Sequence, residues 1–505
     1  MTAVTPTRDA ASRYRIEPTV MQALRSPRLL TREVLAGLVV ALALIPEAIA
    51  FSIIAGVDPR VGLFSSFVMA VAIAFLGGRP AMITAATGAI ALVIAPVARE
   101  HGMDYFIATV LLGGLIQVIL ALLGVAKLMR FIPRSVMVGF VNALAILIFT
   151  SQFPQLIGVP WLVYPLVAVG LLVMYLMPRI TKVIPAPLVA IVLLTAAVVV
   201  FAWNVPNVGD QGELPKNLPE LFLPNVPLNL ETLQIIAPYA LAMAVVGLLE
   251  SLMTAKLVDD ITDTHSRKTR EALGQGAANV LSGAFGGMGG CAMIGQTMIN
   301  VKASGARTRI STFLAGVFLL VLVLALGDVV AIIPMAALVA VMILVSIATF
   351  DWHSIRWGTL KRMPKSETAV MLITVIATVW THNLAVGVIL GVITAMIMFA
   401  RRVAHFVSVT RTLSDDTTTA RYAVDGELFF ASSNDLTTQF EYTEDPDTVI
   451  IDMRRSHVWD ASTVAALDAI VTKYEHHGKT VTIEGLNDTA AAFHGRLTGS
   501  LGNGH

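Results

Sequence analysis

Charged residues and cysteine are scarce in this chain of 505 residues. Asp, Glu, Lys and Arg make up 14% of it, whereas soluble domains carry about 25%. Apolar residues make up 56%, and the mean hydropathy is +0.76. This composition excludes an ordinary soluble enzyme. The single cysteine, Cys291, excludes an internal disulfide framework and a cysteine-rich metal site. We therefore expect no cofactor, no metal site and no nucleic-acid partner.

The charges are divided unevenly along the chain. Residues 403–505 hold 7 basic and 15 acidic side chains, and the rest of the chain holds 28 and 19. A basic, apolar body thus precedes an acidic tail of about 100 residues, which is typical of a polytopic membrane domain followed by a small soluble domain. The first 31 residues contain several arginines but no continuous apolar core, so we interpret them as a cytoplasmic leader.

Apolar runs recur through the body. About seven precede a polar, proline-rich segment at 204–229, and about seven follow it. A full span needs about 20 residues, so the sequence predicts about 14 helical segments, some of them short. An odd number of spans in each half gives the halves opposite orientations, which predicts two inverted repeats. The basic residues between runs fall on the leader's side, so we expect a cell (inner) membrane protein with its N-terminus and tail in the cytoplasm.

Two internal similarities support the repeat. Residues 77–84 (GGRPAMIT) resemble residues 289–296 (GGCAMIGQ), and Glu47 has a counterpart in Glu250 in the first span of each half. The third span of each half, near 85–98 and 296–301, is short. Short spans at corresponding positions are typical of transporters, where the N-termini of half-helices face an anion. The sequence therefore predicts an anion site near the membrane midplane.

Glu47 and Glu250 are the acidic residues of the body that lie within spans rather than in loops or at span ends. A carboxylate in hydrocarbon costs roughly several kcal/mol, so it faces a cavity, finds a partner or takes up a proton. We interpret both as coupling residues for a proton or cation, together with Thr254, one turn after Glu250. The alternatives are a hydrogen bond from Glu47 to the helix backbone beside Pro46 and a helix-packing role for Glu250.

Around the short spans, small and polar residues would contact the anion without any basic side chain. The candidate substrate contacts are Phe51, Ala86, Thr87, Gly88, Gln296 and Thr297. Thr84 adds a hydroxyl beside them. Small residues in membrane helices are also typical of packing faces, which is the alternative interpretation.

Four other residues in these regions have simpler interpretations. Arg79, Arg307 and Arg309 are expected to anchor the topology. Cys291 is expected to be a small apolar residue.

The motifs LAGL at 35–38, IPEAIAF at 45–51, AGVDP at 55–59 and GLF at 62–64 resemble the signature of the sulfate permease (SulP) anion transporters. Residues 286–311 resemble the same family, and the similarity runs from about residue 32 to the C-terminus. It implies two inverted seven-segment repeats, a core and a gate domain, elevator-type alternating access and a homodimer. It also implies an anion between residues 84–88 on one side and Gln296 and Thr297 on the other, with Phe51, Glu250 and Thr254 close to substrate or coupling cation.

This chain departs from that family at two positions. Glu47 stands where most relatives have Gln, and a titratable group there favours proton symport. Ala89 stands where many relatives have Pro, which affects the anion geometry.

The tail has an α/β pattern. Apolar segments at 420–430, 448–453 and 480–484 predict strands, and residues 461–476 have helical spacing. The pattern resembles a STAS domain. Asp460 is expected to cap the helix, and Ser462 is expected to be a residue of the helix start rather than a phosphorylation site.

Together these observations predict a leader at 1–31, a transmembrane domain at 32–402 (repeats at about 32–203 and about 230–402), a linker at 403–416 and a STAS domain at 417–505. We expect a secondary active transporter and no enzyme. Sulfate or a C4-dicarboxylate ranks above bicarbonate as substrate, chloride stays open, and a proton ranks above sodium as coupling ion. The alternatives are an anion exchanger or channel without proton coupling, a membrane-tethered STAS regulatory protein, and a nucleobase permease, which the acidic tail disfavours.

Overall fold

Residues 18–127, 132–180, 185–404 and 407–497 are described by the computed structural model of this chain. The chain divides into two compact units, Met1–Val392 and Ile393–His505. Most of the predicted leader lies outside the described residues. Its described part contains helix α1 (Val20–Arg25), capped by Thr19, and the start of the first long helix at Pro27. The first span therefore begins inside the predicted leader, because Pro at the first helical position favours helix initiation there.

The described residues of the first half of the larger unit form seven membrane-type segments. They are α2 (Pro27–Ala55), α3 (Pro59–Leu76), β1 (Thr84–Ala85) followed by α4 (Gly88–His101), α5 (Met103–Leu122), α6 (Arg134–Thr150), α7 (Val163–Ile180) and α8 (Ala186–Val200). Short 3-10 helices at Phe153–Leu156 and Val208–Gln211 lie in the connections.

The second half repeats this order. It contains α9 (Leu230–Thr262), α10 (Lys268–Ala284), β2 (Cys291–Ala292), α11 (Ile294–Met298) with a π-helical continuation (Ile299–Ala303), α12 (Arg309–Ala325), α13 (Gly327–Ala331), α14 (Met335–Thr349), α15 (Trp357–Arg362), α16 (Lys365–Thr381) and α17 (Leu384–Ala404). Residues 329–349, which read as one apolar run in the sequence, belong to two helices. Pro334 is the N-cap of α14 and separates it from α13.

The two halves correspond segment by segment, which confirms the predicted architecture of about 14 segments in inverted repeats. Helix α9 begins 203 residues after α2, and Glu250 lies the same 203 residues after Glu47. Among the described residues, seven helices are long and apolar enough to cross a membrane, and α8, α12 and α14 are shorter apolar helices. The third segment of each half, α4 or α11, is a half-helix that follows a two-residue strand.

The predicted sequence match between 77–84 and 289–296 is out of register with this correspondence. The structure aligns Thr84–Ala85 with Cys291–Ala292, because each pair is the strand that precedes its half-helix. The match instead paired Ala81 with Ala292, so it was wrong by four residues. Glycines flank the loops of both halves, and their similarity does not report the position of the strand.

The helices of the larger unit pack in two groups. One group contains α2, α3, α4, α5, α9, α10 and α12, and the other contains α6, α7, α8, α14 and α16. Helices α5 and α10 cross closely at two glycines: a Cβ on Gly114 would lie 2.8 Å from Gly276 O, and one on Gly276 would lie 2.8 Å from Gly114 O. Small residues at such crossings let the backbones of membrane helices approach each other.

The smaller unit contains a four-stranded sheet in the order β3 (Ser408–Leu413), β4 (Thr419–Leu428), β5 (Thr448–Val458) and β6 (Thr480–Glu484). β3 and β4 are antiparallel, and the other pairs are parallel. Helices α18 (Phe430–Leu436), α19 (Ala461–His476) and α20 (Asp488–Leu497) follow β4, β5 and β6. Asp460 caps α19 by accepting a hydrogen bond from Thr463 N at 3.0 Å, as predicted.

Strand β3 lies in the segment predicted to be a linker. It is an exposed edge strand, so it lacks the alternation of apolar and polar residues on which the prediction depended. Helices α18 and α20 were not predicted either. The predicted domain end, residues 498–505, lies outside the described residues.

A buried carboxylate, Asp445, organises the core of the smaller unit. It accepts hydrogen bonds from Tyr422 Oη at 2.7 Å, Tyr474 Oη at 2.5 Å and Arg411 Nε at 2.7 Å. Burial raises the pKa of Tyr474, and the hydrogen bond to the Asp445 carboxylate raises it further. Both tyrosines therefore keep their protons and donate to Asp445 at neutral pH.

Replacing Tyr474 by Phe removes a donor from this buried carboxylate. A hydrogen bond to a charged group contributes about 1.5–3 kcal/mol to stability. We therefore expect Tyr474→Phe to raise the equilibrium constant for local opening of β5 by at least about tenfold. Hydrogen exchange of the β5 amides in the full chain measures this opening. Tyr442→Phe is the matched control, because its hydroxyl donates only to the neutral Thr437 carbonyl at 2.6 Å. Equal exchange in both variants would contradict the role of Asp445.

The pairing of β1 with β2 gives a second prediction. A Cβ on Gly290 would clash with the Ala85 carbonyl oxygen, whereas one on Gly295 would meet open space. We expect Gly290→Ala to lower the melting temperature of the purified protein by several degrees through loss of about 1–3 kcal/mol. Gly295→Ala, five residues away, should leave it unchanged. A Gly290→Ala protein that melts like wild type would show that the close approach is dispensable.

Candidate functional site

Strands β1 and β2 bring the two half-helices together. They pair antiparallel with Thr84 opposite Ala292 and Ala85 opposite Cys291. Helix α4 starts at Gly88 and α11 starts at Ile294, each within three residues of its strand. The first turn of a helix carries unpaired N–H groups and the positive end of the helix dipole. The two positive ends therefore lie beside one short ladder, one from each repeat.

One side of this junction contains Glu47, Phe51, Gly88 and Gln296. A Cβ on Gly88 would lie 2.8 Å from Phe51 Cε1, so the aromatic ring covers the first turn of α4. Glu47 lies one turn earlier on α2, with the side chain of Gln296 close to its carboxylate. Gln296 is 2% exposed, and its Oε1 has no hydrogen-bond partner among the described residues. A buried acceptor without a partner is costly, which indicates that a donor is missing here.

The other side contains Glu250, Cys291 and Thr87. The Cys291 thiol donates to Glu250 Oε2 at 2.9 Å, and its sulfur lies 3.1 Å from Thr87 Oγ1. Thr87 is the N-cap of α4 and accepts from Ile90 N. All three side chains are buried. The interpretation of Cys291 as a merely apolar residue was therefore wrong, because its thiol bridges the two repeats.

Neither carboxylate forms an ion pair with a basic side chain in the part of the chain that the structure describes. A buried, ionised carboxylate without a cation is strongly unfavourable. Each group therefore needs a proton or a bound cation when the site is closed to water.

Three predicted site residues form hydrogen bonds with other protein groups, so their polar groups are not available to a ligand in this conformation. The Thr297 hydroxyl accepts from Ile83 N at 3.0 Å, and the Thr254 hydroxyl donates to Glu250 O at 2.8 Å. The backbone N–H of Ala86 donates to Ser66 Oγ at 3.3 Å. In this conformation their polar groups bind protein, because the loops before the half-helices would otherwise carry unpaired backbone groups.

A cavity of about 650 Å³ begins next to the site. Its lining includes Ala50 and Ile54 of α2, Arg99 of α4, Gln152 and His382, with both helix groups contributing. Ala50 directly precedes Phe51 on α2. Arg99 Nη2 donates to Ile54 O at 2.9 Å, which places a positive charge on the cavity wall. The cavity is thus lined by residues of both helix groups, and it reaches α2 at the residue before Phe51.

Helix α10 contributes four polar side chains that the sequence analysis missed. All are buried on one face at spacings of four, four and three residues, and each holds a loop of the site: Glu271, Gln275, Asn279 and Ser282. Glu271 accepts from Gly78 N, and Gln275 donates to Thr84 Oγ1. The signal was present as polar residues at helical spacing within a membrane span, but the segment was interpreted as an apolar run.

Asn279 binds the loop before β2 most directly. It accepts from Gly290 N at 2.8 Å and donates to Gly290 O at 3.1 Å and to Gln117 Oε1 at 2.8 Å. Ser282 accepts from Gly289 N at 3.3 Å. The backbone beside Cys291 is thus fixed by side chains of α10 rather than by a regular sheet.

The three arginines interpreted as topology anchors have structural partners. Arg79 is 3% exposed, and its Nη1 lies 3.3 Å from Asp259 Oδ1. Arg309 donates to Gly77 O at 2.6 Å, and Arg307 donates to Val301 O at 2.6 Å. Arg307 and Arg309 therefore satisfy carbonyls at helix ends, where positive charge is favourable.

Asn279→Ala would leave the N–H and C=O of Gly290 buried without partners. Each such group costs about 1–3 kcal/mol, so we expect the melting temperature to fall by several degrees and transport to decrease at least about tenfold. Thermal unfolding in detergent and uptake into proteoliposomes measure the two effects. Leu281→Ala, on an exposed face of the same helix, is the control. Indistinguishable melting and uptake of the two variants would contradict the role of Asn279.

Comparison with known proteins agrees with this architecture. Residues 30–169 and 161–374 match the Sulfate permease family, and residues 413–493 match the STAS domain. YbaR of Bacillus subtilis (strain 168), a candidate sulfate transporter, is 51% identical over 456 residues, which cover 90% of this chain and 94% of that protein. The bicarbonate transporter BicA of Picosynechococcus is 27% identical over 420 residues, which cover 76% of this chain and 72% of that protein.

Two solved structures share the fold. The transmembrane domain of a cyanobacterial bicarbonate transporter BicA matches with a TM-score of 0.63 and 26% identity, over 73% of this chain and 98% of that domain. The murine anion transporter Slc26a9 in its inward-facing state matches with a TM-score of 0.79 and 16% identity, over 96% and 88%. Matched through most of its membrane domain and again through its tail, the chain belongs to the sulfate permease family of membrane anion transporters, with a C-terminal STAS domain, and is not an enzyme.

Proposed function

We propose that the protein is a proton-coupled symporter of a small anion, with sulfate or a C4-dicarboxylate as the substrate. One observation carries the proposal: two buried carboxylates, Glu47 and Glu250, flank the junction of the half-helices without a basic partner among the described residues. Adding an anion to a site that already holds two negative groups is strongly unfavourable. Protons on these carboxylates remove that repulsion, so anion and proton bind together.

The substrate contacts of this proposal are Phe51, Gly88 and Gln296, with Thr87, Ala86 and Thr297 forming the loops around them. The N-terminus of α4 supplies N–H groups and a positive dipole for a small oxyanion. The amide N–H groups of Gln296 would donate to the anion, and its oxygen, which has no partner among the described residues, would accept from a protonated carboxyl. Glu47 and Glu250, with Thr254 beside Glu250, are the coupling residues. Sulfate is named for a relative at 51% identity, and bicarbonate for relatives at 27% and 28%.

We propose an elevator-type movement for the translocation step. The site is formed by the group of α2, α3, α4, α5, α9, α10 and α12 together with β1, β2 and α11, which contacts α9 and α2. Glu271, Gln275 and Asn279 tie the loops of this group together. The cavity with Arg99 lies between this group and the other. A rigid displacement of the first group would carry the intact site past the second and preserve its hydrogen bonds.

The assembly and membrane placement are part of the same proposal. Basic residues on the leader's side support an inner-membrane protein whose N-terminus and STAS domain are in the cytoplasm. A homodimer is expected from family resemblance. Sodium in place of the proton, an exchanger or channel without coupling, and a regulatory STAS protein are the alternatives that the following experiment separates.

Glu47→Gln removes the titratable group and keeps a polar side chain of nearly the same size beside Gln296. In proteoliposomes with an internal pH dye, we expect wild type to acidify the lumen when sulfate, fumarate or succinate is added outside. Glu47→Gln should lower this proton movement at least about tenfold, because a neutral amide cannot carry a proton. It should still bind or exchange the anion. Glu231→Gln, at the exposed start of α9, is the matched control.

The other outcomes of this assay are equally clear. Anion uptake without proton movement, unchanged in Glu47→Gln, would reject proton symport. Uptake that requires external sodium would assign sodium as the coupling ion. Conductance without accumulation would indicate a channel, and absence of any anion flux would favour the regulatory alternative.

A further inference from the structure

Cys291 occupies a position that the transport mechanism above does not use. Its Sγ lies 2.9 Å from Glu250 Oε2 and 3.1 Å from Thr87 Oγ1, and the side chain is fully buried. Glu250 belongs to the second repeat, whereas Thr87 caps the half-helix of the first. The thiol is therefore a hydrogen-bonded bridge from a coupling carboxylate to the cap of the opposite half-helix.

The direction of hydrogen bonding along this bridge depends on the Glu250 proton. An ionised carboxylate only accepts, so the Cys291 S–H donates to it. The thiol has one hydrogen, so the second contact requires the Thr87 O–H to donate to sulfur. When Glu250 holds a proton, its own O–H can donate to sulfur. The S–H then turns about the Cβ–Sγ bond and donates to Thr87 Oγ1, which frees the Thr87 O–H.

We propose that Cys291 is a hydrogen-bond relay that couples protonation of Glu250 to anion binding at the start of α4. With Glu250 ionised, the Thr87 hydroxyl is held by sulfur. With Glu250 protonated, the hydroxyl is released as a donor beside Gly88, where the anion is expected. The proton stays on Glu250 throughout, and only hydrogens rotate. Cys291 is thus a positioning residue, and the inference rests on the proton coupling proposed above.

The polar groups around Glu250 have hydrogen-bond partners other than its carboxylate. From α9 the neighbouring side chains are the hydroxyls of Ser251 and Thr254, which bind Ala292 N and Glu250 O. From α5, Gln117 lies beside Gly247. The larger unit has other buried carboxylates, and they have their own neighbours. Glu47 lies beside Gln296 on α11, and Glu271 accepts from Gly78 N and Arg79 N. Glu33 accepts from Arg307 N and Thr308 N, and Asp259 pairs with Arg79. No basic side chain in the described ranges is paired with Glu250.

An independent feature indicates that the junction receives a proton donor. Gln296 Oε1, on the opposite half-helix, is buried without a hydrogen-bond partner among the residues described. This oxygen only accepts, so it would pair with a protonated carboxyl, whereas the released Thr87 hydroxyl would donate to a small oxyanion. A thiol suits the relay because it is a weak donor and a weak acceptor, so neither direction is locked.

Infrared spectroscopy of the full-length protein tests the relay without any ligand. The chain has one cysteine, so its S–H stretching band is a single reporter, assigned by its loss in Cys291→Ser. From about pH 8 to about pH 5, we expect a carboxyl band for Glu250 to appear and the S–H band to move to higher frequency as it exchanges a charged acceptor for a neutral one. In Glu250→Gln both changes should be lost.

This measurement can overturn the relay in two ways. A Glu250 carboxyl band that appears while the S–H band stays fixed would show that the thiol does not reverse. Absence of a Glu250-dependent carboxyl band over the whole range would show that the trigger does not exist.

Equilibrium binding of radiolabelled sulfate supplies the second test, because the charge of sulfate does not change over this range. Acidification should tighten binding to wild type about tenfold more than to Cys291→Ala, the effect of one added hydrogen bond to an anion. Both proteins keep the gain from removing charge repulsion, and Cys291→Ser, whose hydroxyl relays in both directions, should restore the wild-type pH effect. Melting temperatures confirm that both variants fold. A full pH effect in Cys291→Ala would overturn the relay.

The two proposals fail in different ways. If the S–H band and sulfate binding respond to pH but wild-type proteoliposomes move no protons with the anion, the relay holds and symport is rejected. If protons move with the anion and Cys291→Ala behaves as wild type in binding, symport holds and the relay is rejected. If wild type binds no sulfate at either pH, sulfate is rejected as the substrate and the infrared result alone decides the relay.

Discussion

The antiparallel pairing of β1 with β2 is the constraint on which the site depends. Two residues of each repeat form this ladder, and from it both half-helices begin. Without it, the N-terminus of α4 and the side chain of Gln296 would have no reason to lie together. The ladder is too short to be stable by itself. It persists because Gln275, Asn279 and Thr297 bind the backbone or side chains on either side of it.

The arrangement explains how a membrane protein can hold irregular backbone at mid-depth. Loops are tolerated there only when protein groups satisfy every N–H and C=O. The polar face of α10 provides those groups, and Arg309 serves the carbonyls at the end of α3. The same side chains that satisfy the loops also fix the distance between Glu250, Cys291 and Thr87. The hydrogen bonds that satisfy the buried backbone therefore also set the geometry of the site.

The sequence predicted the architecture because its signals are local and strong. Apolar runs of helical length, a polar break in the middle and a carboxylate at the same place in each half are sufficient for two inverted repeats. The STAS pattern was similarly readable at β4, β5 and α19. Strand β3 was not predicted, because this exposed edge strand does not alternate between apolar and polar residues. The register of β1 against β2 escaped because pairing between residues more than 200 positions apart leaves no local pattern.

The site was only partly predictable for the same reason. Glu47, Phe51, Gly88 and Gln296 were found by residue type and spacing, and the structure brings them together. The roles of Cys291, Asn279 and Arg79 depend on partners from distant segments. A lone thiol or amide in an apolar run gives no indication of what it contacts. Such residues become interpretable only when the fold supplies the partner.

The ladder also imposes an order on biosynthesis. Every partner of β1 in the second half, from Gln275 to Thr297, is made about 190 residues or more after it. Among the described residues, the first half contributes no ladder partner to Thr84 and Ala85. The completed first half therefore cannot close its own site, and its central loop gains these hydrogen bonds only when the second repeat has been made.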